Sequence, residues 1–218
     1  MSGILVGFTL VLCGCRATMG CVNVKVKPGD AAPLMEFRSP VCRKVPPSLA
    51  KSCDFHRDYV LGLKLGAGAC GVVYSARTTS SSKDVAVKVV DLHADSAEGP
   101  RSDLAKQRRQ RAIEREITAL QSLPVSANII EAHGFYAGGG LAYIVMERCT
   151  STLRSMLEAM PIVSEATLKP VFEEMLSAIA VCHAAGIVHR DVKCENFLMA
   201  AYRRVKLCDF GLARAVSA

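Results

Sequence analysis

Near its C-terminal end this 218-residue chain reads Ile187-Val188-His189-Arg190-Asp191-Val192-Lys193-Cys194-Glu195-Asn196. An aspartate, a lysine two residues on and an asparagine five residues on can converge on a phosphoryl group in transfer. Asp191 would accept a hydroxyl proton, Lys193 would neutralise developing charge, and the Asn196 oxygen would hold Mg2+. Thirteen positions past Asn196 stands Asp209-Phe210-Gly211, after a strand-like Val205-Lys206-Leu207-Cys208. Asp209 supplies the metal-binding carboxylate that a triphosphate site still lacks.

A second set lies upstream. Leu65-Gly66-Ala67-Gly68-Ala69-Cys70-Gly71-Val72-Val73 matches G-x-G-x-x-G-x-V. Glycines let a backbone approach phosphate oxygens and turn without a Cβ clash. A dinucleotide fold would need a helix directly after the loop, but Val72-Val73-Tyr74-Ser75-Ala76 is strand-like, and no Gly-Lys-Ser/Thr marks a Walker loop. The pattern therefore predicts a strand–loop–strand flap over a nucleotide. One short hairpin on comes Val85-Ala86-Val87-Lys88, whose alternation puts Ala86 and Lys88 on one face. A flat adenine can lie against Ala86 while Lys88 reaches its phosphates.

That lysine needs a counter-ion. Ile113, Glu116, Leu120 and Leu123 are spaced +3, +4, +3, so Glu116 shares an apolar helix face. A carboxylate held against a core is costly unless paired. Glu116 is preferred to Glu114, whose neighbours at +3 and +7 are Ile117 and Gln121.

The elements that must position these groups follow from periodicity. Residues 59–65, 72–77, 85–90 and 141–146 read as strands, with a polar turn across 78–84. A helix carries the apolar positions 113–123, and helical patterns follow at 152–160 and 165–185. Strands first and helices later predict an α+β architecture with a sheet lobe and a helical lobe. Pro170 falls within the last pattern and predicts either a helix start near Lys169 or a kink.

Composition narrows the function classes. Half the residues are hydrophobic and 22% are charged, too apolar for a disordered chain. No apolar run reaches the roughly 18 residues needed to span a bilayer. The net charge of 27 − 20 = +7 is a mild excess, so nucleic acid is not an expected partner. More than half of it lies in Arg101, Lys106, Arg108, Arg109, Arg111 and Arg115, set against Asp103 and Glu114. That run reads as a solvated helix face or as a docking patch for an acidic or phosphorylated partner. Ten cysteines show no C-x-x-C pair and no zinc spacing, which predicts free thiols in a reducing compartment. Cys70 and Cys208 would be reactive only if their pKa were lowered.

With the glycine flap, the strand lysine, His189-Arg190-Asp191 through Asn196, and Asp209-Phe210-Gly211 in this order, residues 59–214 resemble the eukaryotic protein kinase family. Lys193 is similar to the serine/threonine type. The resemblance implies a protein-kinase-like α+β fold: an N-terminal extension and Pro-rich linker over 1–57, disordered; a β-rich N-lobe over 58–150; and a partial helical C-lobe over 151–218. It implies ATP and Mg2+ as cofactors, Asp191 as catalytic base beside Lys193, Lys88 paired with Glu116, and Asn196 and Asp209 as metal ligands. His189 and Phe210 would be packing residues. Leu65, Gly66, Ala67, Gly68, Ala69, Cys70 and Gly71 would cover the nucleotide, and Val73, Ala86 and Leu198 would sandwich the adenine. Met146 would be the gatekeeper, and the backbone of Glu147 and Cys149 the hinge that hydrogen-bonds the base.

The expected activity is transfer of the γ-phosphoryl of Mg-ATP to serine or threonine hydroxyls of a protein substrate. The chain stops seven residues after Gly211, without the family's Ala-Pro-Glu anchor. The expectation for such a C-terminally truncated chain is weak Mg-ATP binding, exposed apolar surface and aggregation. The alternative is a catalytically silent kinase fragment acting as a regulatory or binding module. A small-molecule kinase is a more distant reading. Residues 4–12 are apolar, but no Lys or Arg precedes them and no small-x-small site follows. A start at Met19 would give Met19-Gly20-Cys21-Val22-Asn23-Val24-Lys25, similar to the doubly acylated N-termini of Src-type kinases. The expected location is the cytoplasm, with membrane association if Gly20 and Cys21 are acylated.

Overall fold

The computed structural model describes residues 11–12, 15–16, 55–68, 71–93 and 100–216. The linker at 28–47, the acylation positions Gly20 and Cys21, and the flap-tip residues Ala69 and Cys70 lie outside the described residues. The chain divides into two compact units, Met1–Ser39 and Pro40–Ala218. In the first, β1 (Val11–Leu12) pairs antiparallel with β2 (Cys15–Arg16). The elements described below belong to the second.

A helical turn, α1 (Phe55–Asp58), leads into β3 (Tyr59–Gly68), β4 (Gly71–Thr78) and β5 (Asp84–Asp91). Helix α2 (Pro100–Ser122) follows, then β6 (Ala132–Gly138) and β7 (Leu141–Glu147). The five strands form one antiparallel sheet in the order β3-β4-β5-β7-β6. In β5, Val85, Ala86, Val87, Lys88 and Val90 are all buried, as an apolar strand covered on both faces must be.

The two faces carry different cores. Val85 and Val87 pack with Phe55, Ala76, Tyr143 and Val145. Ala86 and Val90 join Ile113 and Ile117 of α2. Phe55 is fully buried and stacks on Tyr143 at a centroid distance of 4.2 Å. Its turn is held by the Thr79 N–H donating to the Asp58 carbonyl at 2.9 Å. The folded unit therefore begins at least three residues before the boundary expected at 58, because the aromatic side chain closes the outer sheet face.

Pro100 opens α2 at the position where a missing N–H costs nothing. The helix thus takes in the charged run at 101–115 together with the apolar positions Ile113, Ile117 and Leu120. Strand β6 has no counterpart in the sequence reading. Ala132-His133-Gly134-Phe135-Tyr136-Ala137-Gly138 alternates poorly, and its pairing with β7 along the sheet edge supplies what propensity does not.

Beyond the sheet come β8 (Ser151–Thr152), α3 (Leu153–Glu158), α4 (Glu165–Ala184) and β9 (Ile187–Val188). Then β10 (Phe197–Met199), β11 (Val205–Leu207) and β12 (Arg214–Ala215) follow. Thr152 caps α3 by accepting the Ser155 N–H, and Ser164 caps α4 by accepting the Thr167 N–H. Of the two outcomes expected at Pro170, the helix start near Lys169 is corrected: the Ser164 cap starts α4 at Glu165, where the 165–185 pattern places it, and leaves Pro170 inside the helix. Strands β11-β10-β8 form a small sheet, and β12 pairs with β9. One buried cluster runs from Ala86 and Ile113 through Ile129 to Phe197, Leu207 and Phe210, so the sheet and the loops after α4 share a core. Among the described residues no helix is long and apolar enough to cross a membrane.

Candidate active site

Strand alternation turns Lys88 to the α2 side of the sheet. Its ammonium donates to Glu116 Oε2 at 2.7 Å and Oε1 at 2.9 Å, and to Asp209 Oδ1 at 2.9 Å. Lys88 and Glu116 are 7% and 2% exposed, so neither charge has water in place of its partner. Burial alone would lower the Lys88 pKa, but the two carboxylates reverse this and hold it above its ordinary value. Glu114 is exposed and instead accepts from Gln110 Nε2 at 3.1 Å. The preference for Glu116 follows the apolar face on which it lies.

The run after α4 folds around the backbone of Cys208. His189 is 2% exposed and its Nε2 donates to the Cys208 carbonyl at 2.9 Å, while Nδ1 accepts the Asp191 N–H at 3.3 Å. Those bonds require the neutral ring with its proton on Nε2, and burial lowers the His189 pKa accordingly. The Cys208 N–H donates to the Asn196 carbonyl at 2.8 Å. Cys208 is thereby clamped on both sides, which sets Asp209 beside the Asp191–Asn196 loop. Phe210 is fully buried and meets His189 edge to face at 4.8 Å. Asp209 and Arg190 adopt positive φ of 60° and 66°, a strain that clusters at functional sites.

Asp191 Oδ2 accepts from Lys193 Nζ at 2.7 Å and from Asn196 Nδ2 at 2.9 Å, and Asn196 Nδ2 also donates to the Asp191 carbonyl at 2.7 Å. The Lys193 hydrogen bond is the main cause of the lowered Asp191 pKa, aided by that from Asn196. Both donors hold Oδ2, so Oδ1 accepts no hydrogen bond among the described residues.

The donor set suits Mg2+. The Asn196 amide donates both of its bonds through nitrogen, leaving its oxygen uncommitted, and only Oδ1 of Asp209 meets Lys88. A carboxylate and an amide oxygen are the hard ligands Mg2+ prefers, and the ion keeps its other positions for phosphate and water.

The flap also fits a phosphate chain. A Cβ at Gly66 or Gly68 would meet nothing within 4 Å. Packing among the described residues does not demand glycine there, and the open space leaves room for another molecule to approach the backbone closely. Gly71 differs: its φ is +141°, and a Cβ would lie 2.5 Å from the Val89 carbonyl oxygen. Leu65 and Ala67 are exposed on the same hairpin.

The residues expected to bind adenine gather as one apolar group. Ala86 and Met146 are buried cross-strand partners, and Val73, Leu198 and Cys149 pack against their cluster. The Cys149 N–H makes no backbone hydrogen bond among the described residues and can donate to a base. The Glu147 N–H donates to the Glu131 carbonyl, and its carboxylate accepts from the Glu131 N–H at 2.8 Å and from Lys206 Nζ at 2.7 Å. Sequence pattern gives Lys206 no role in the site, although the alternation Val205-Lys206-Leu207 turns it away from the buried side of β11. Arg190 stands in the 187–196 motif, but residue type alone gives it no role. Its Nε donates to the Leu212 carbonyl at 2.6 Å and holds the segment after Asp209. Burial pushes the Cys208 thiol pKa up and that of Cys149 to about 11, so neither is an activated thiol.

The protein kinase domain profile matches residues 59–218. Among curated proteins, the serine/threonine-protein kinase KIC1 of Saccharomyces cerevisiae is 34% identical over 154 residues, covering 70% of this chain and 13% of that one. Cyclin-dependent kinase 10 of Rattus norvegicus is 37% identical over 155 residues, covering 70% and 40%. CBL-interacting protein kinase 4 of Oryza sativa subsp. japonica is 34% identical over 161 residues, covering 71% and 33%. The chain spans well under half the length of these relatives.

Proposed function

Because this chain belongs to the protein kinase family, we propose that it binds Mg-ATP beneath the β3–β4 flap and transfers the γ-phosphoryl group to serine or threonine hydroxyls of proteins. The observation that carries this reading is a single ammonium, that of Lys88, in contact with both Glu116 and Asp209. Glu116 keeps Lys88 charged and extended, so that it can meet phosphate oxygens. Asp191, kept ionised by Lys193 and Asn196, accepts the proton of the attacking hydroxyl at its uncommitted oxygen. Lys193 then neutralises charge on the transferred group. Ala86, Val73 and Leu198 hold the adenine, and the Cys149 N–H fixes its edge. Mg2+, when bound by Asn196 Oδ1 and Asp209, screens the phosphate charge.

The test is nucleotide affinity together with phosphate transfer to a generic serine-containing protein. Asp191→Asn should keep Mg-ATP binding and lower transfer by roughly 10²–10⁴-fold. Equal transfer by the variant and the parent chain would remove the proposed base.

A second reading, a silent regulatory module, is favoured by the exposed apolar side chains Val188, Val192, Leu212 and Val216 along the Asp191 loop and the segment after Asp209. Such a surface suits a partner. Mg-ATP binding without any transfer, together with capture of a full-length kinase domain, would support it over the first.

A further inference from the structure

The nucleotide site uses one face of α2, and the opposite face carries unspent charge. Leu104, Arg108, Arg111 and Arg115 follow i, i+4, i+7 and i+11, so they form one ridge opposite Ile113, Glu116 and Ile117. Leu104 is 54% exposed, and the three arginines are exposed too. Among the described residues none of the three makes an ion pair or a side-chain hydrogen bond.

Glu and Arg one turn apart would support the helix. Here Arg108 meets Arg111 at i+3 and Arg111 meets Arg115 at i+4, two like-charge pairs that weaken the helix, and Glu114, at i+3 from Arg111, makes no ion pair with it among the described residues. Of the described carboxylates of this helix, Glu114 accepts from Gln110 and Glu116 from Lys88. Water and salt screen this repulsion in part, and acidic charge from another molecule relieves it further.

We propose that this ridge docks an acidic helical segment of a partner protein. Arg108 and Arg115 lie about 10 Å apart along the axis, so carboxylates at successive turns of a facing helix can each meet one guanidinium fork. Leu104 adds an apolar contact at one end. A lipid surface is a poorer fit, because an interfacial helix buries a continuous apolar stripe and the apolar stripe of α2 is already buried in this protein. Arg115 adjoins Glu116, so an occupied ridge steadies the helix that carries the Lys88 partner.

The test uses the whole chain and its Arg108→Gln/Arg111→Gln/Arg115→Gln variant, which leaves every residue of the nucleotide site in place. Fluorescence anisotropy would follow a labelled helical peptide with Glu at successive one-turn intervals and Leu at one end. A Gln version of that peptide and phosphatidylserine vesicles serve as competing probes. The parent chain should bind the Glu peptide alone and lose affinity with added salt. The variant should bind it roughly tenfold more weakly or worse, as the loss of three exposed charge contacts implies. The variant should also melt no lower than the parent, since like-charge neighbours are gone. Equal binding by the variant, no binding by the parent chain, or a preference for vesicles would each overturn the proposal. A clear fall in melting temperature would do so too, by making the arginines part of the fold.

Discussion

Two carboxylates, Glu116 and Asp209, share the Lys88 ammonium, and the energetics of that contact can be separated from its chemistry. A buried ion pair adds little net stability, but removing one member strands the other. Lys88→Met should therefore cost about 3–5 kcal/mol in denaturant unfolding, through the stranded Glu116 carboxylate, and abolish nucleotide binding. The double variant Lys88→Met/Glu116→Gln should recover most of the stability and none of the binding. If the single variant unfolded at the same denaturant concentration as the parent, Glu116 would not depend on Lys88. The choice of Glu116 over Glu114 was legible in the helical period alone, because only one of the two lies on the face with Ile113 and Leu120.

At the scale of elements, the flap and α4 each hold a proline or glycine with a distinct cost. Gly66→Ala and Gly68→Ala point into open space, so unfolding should be nearly unchanged while Mg-ATP affinity falls. Gly71→Ala places a methyl against the Val89 carbonyl at positive φ and should cost roughly 1–3 kcal/mol in stability. Nucleotide titration and thermal melting of the three variants separate these outcomes. Were Gly66→Ala as destabilising as Gly71→Ala, the flap glycines would serve packing rather than a ligand. Pro170 is exposed inside α4, where a proline removes a hydrogen bond from the ladder. Pro170→Ala should raise the unfolding free energy by roughly 1–3 kcal/mol. An unchanged value would mean that the local helix geometry has already absorbed the proline.

The whole molecule should be most stable in a window set by groups that fold neutral or paired. His189 has a folded pKa below its ordinary 6.5, so the unfolded chain takes up that proton first as pH falls. Its contribution is present above about 6.5 and lost below it. Asp191, lowered from 3.8, adds a further loss as pH falls through its folded value. On the alkaline side Cys149, Cys182 and Cys208 have raised pKa values against an ordinary 9.0. Their contribution is present below about 9 and lost as pH rises through the folded values. Unfolding free energy measured by denaturant across pH should plateau between these limits. His189→Gln should flatten the upper part of the acid limb; an acid limb unchanged by that variant would assign it to other groups.

Types and spacing alone indicated which groups lie together: the aspartate, lysine and asparagine of 191–196, the glycine loop joining two strands, and a strand lysine paired with a carboxylate from the next helix. These are local properties, set by periods of two and 3.6 and by the few side chains able to handle a phosphoryl group. Tertiary structure decided what depends on distant neighbours. Strand β6 forms because β7 offers it an edge, and Phe55 joins the fold because three tyrosine rings receive it. Cys208 orients Asp209 through bonds from its backbone to His189 and Asn196, and a backbone atom leaves no mark in residue type. Lys206 braces Glu147 only because β11 passes near β7, a contact that no reading along the chain could supply.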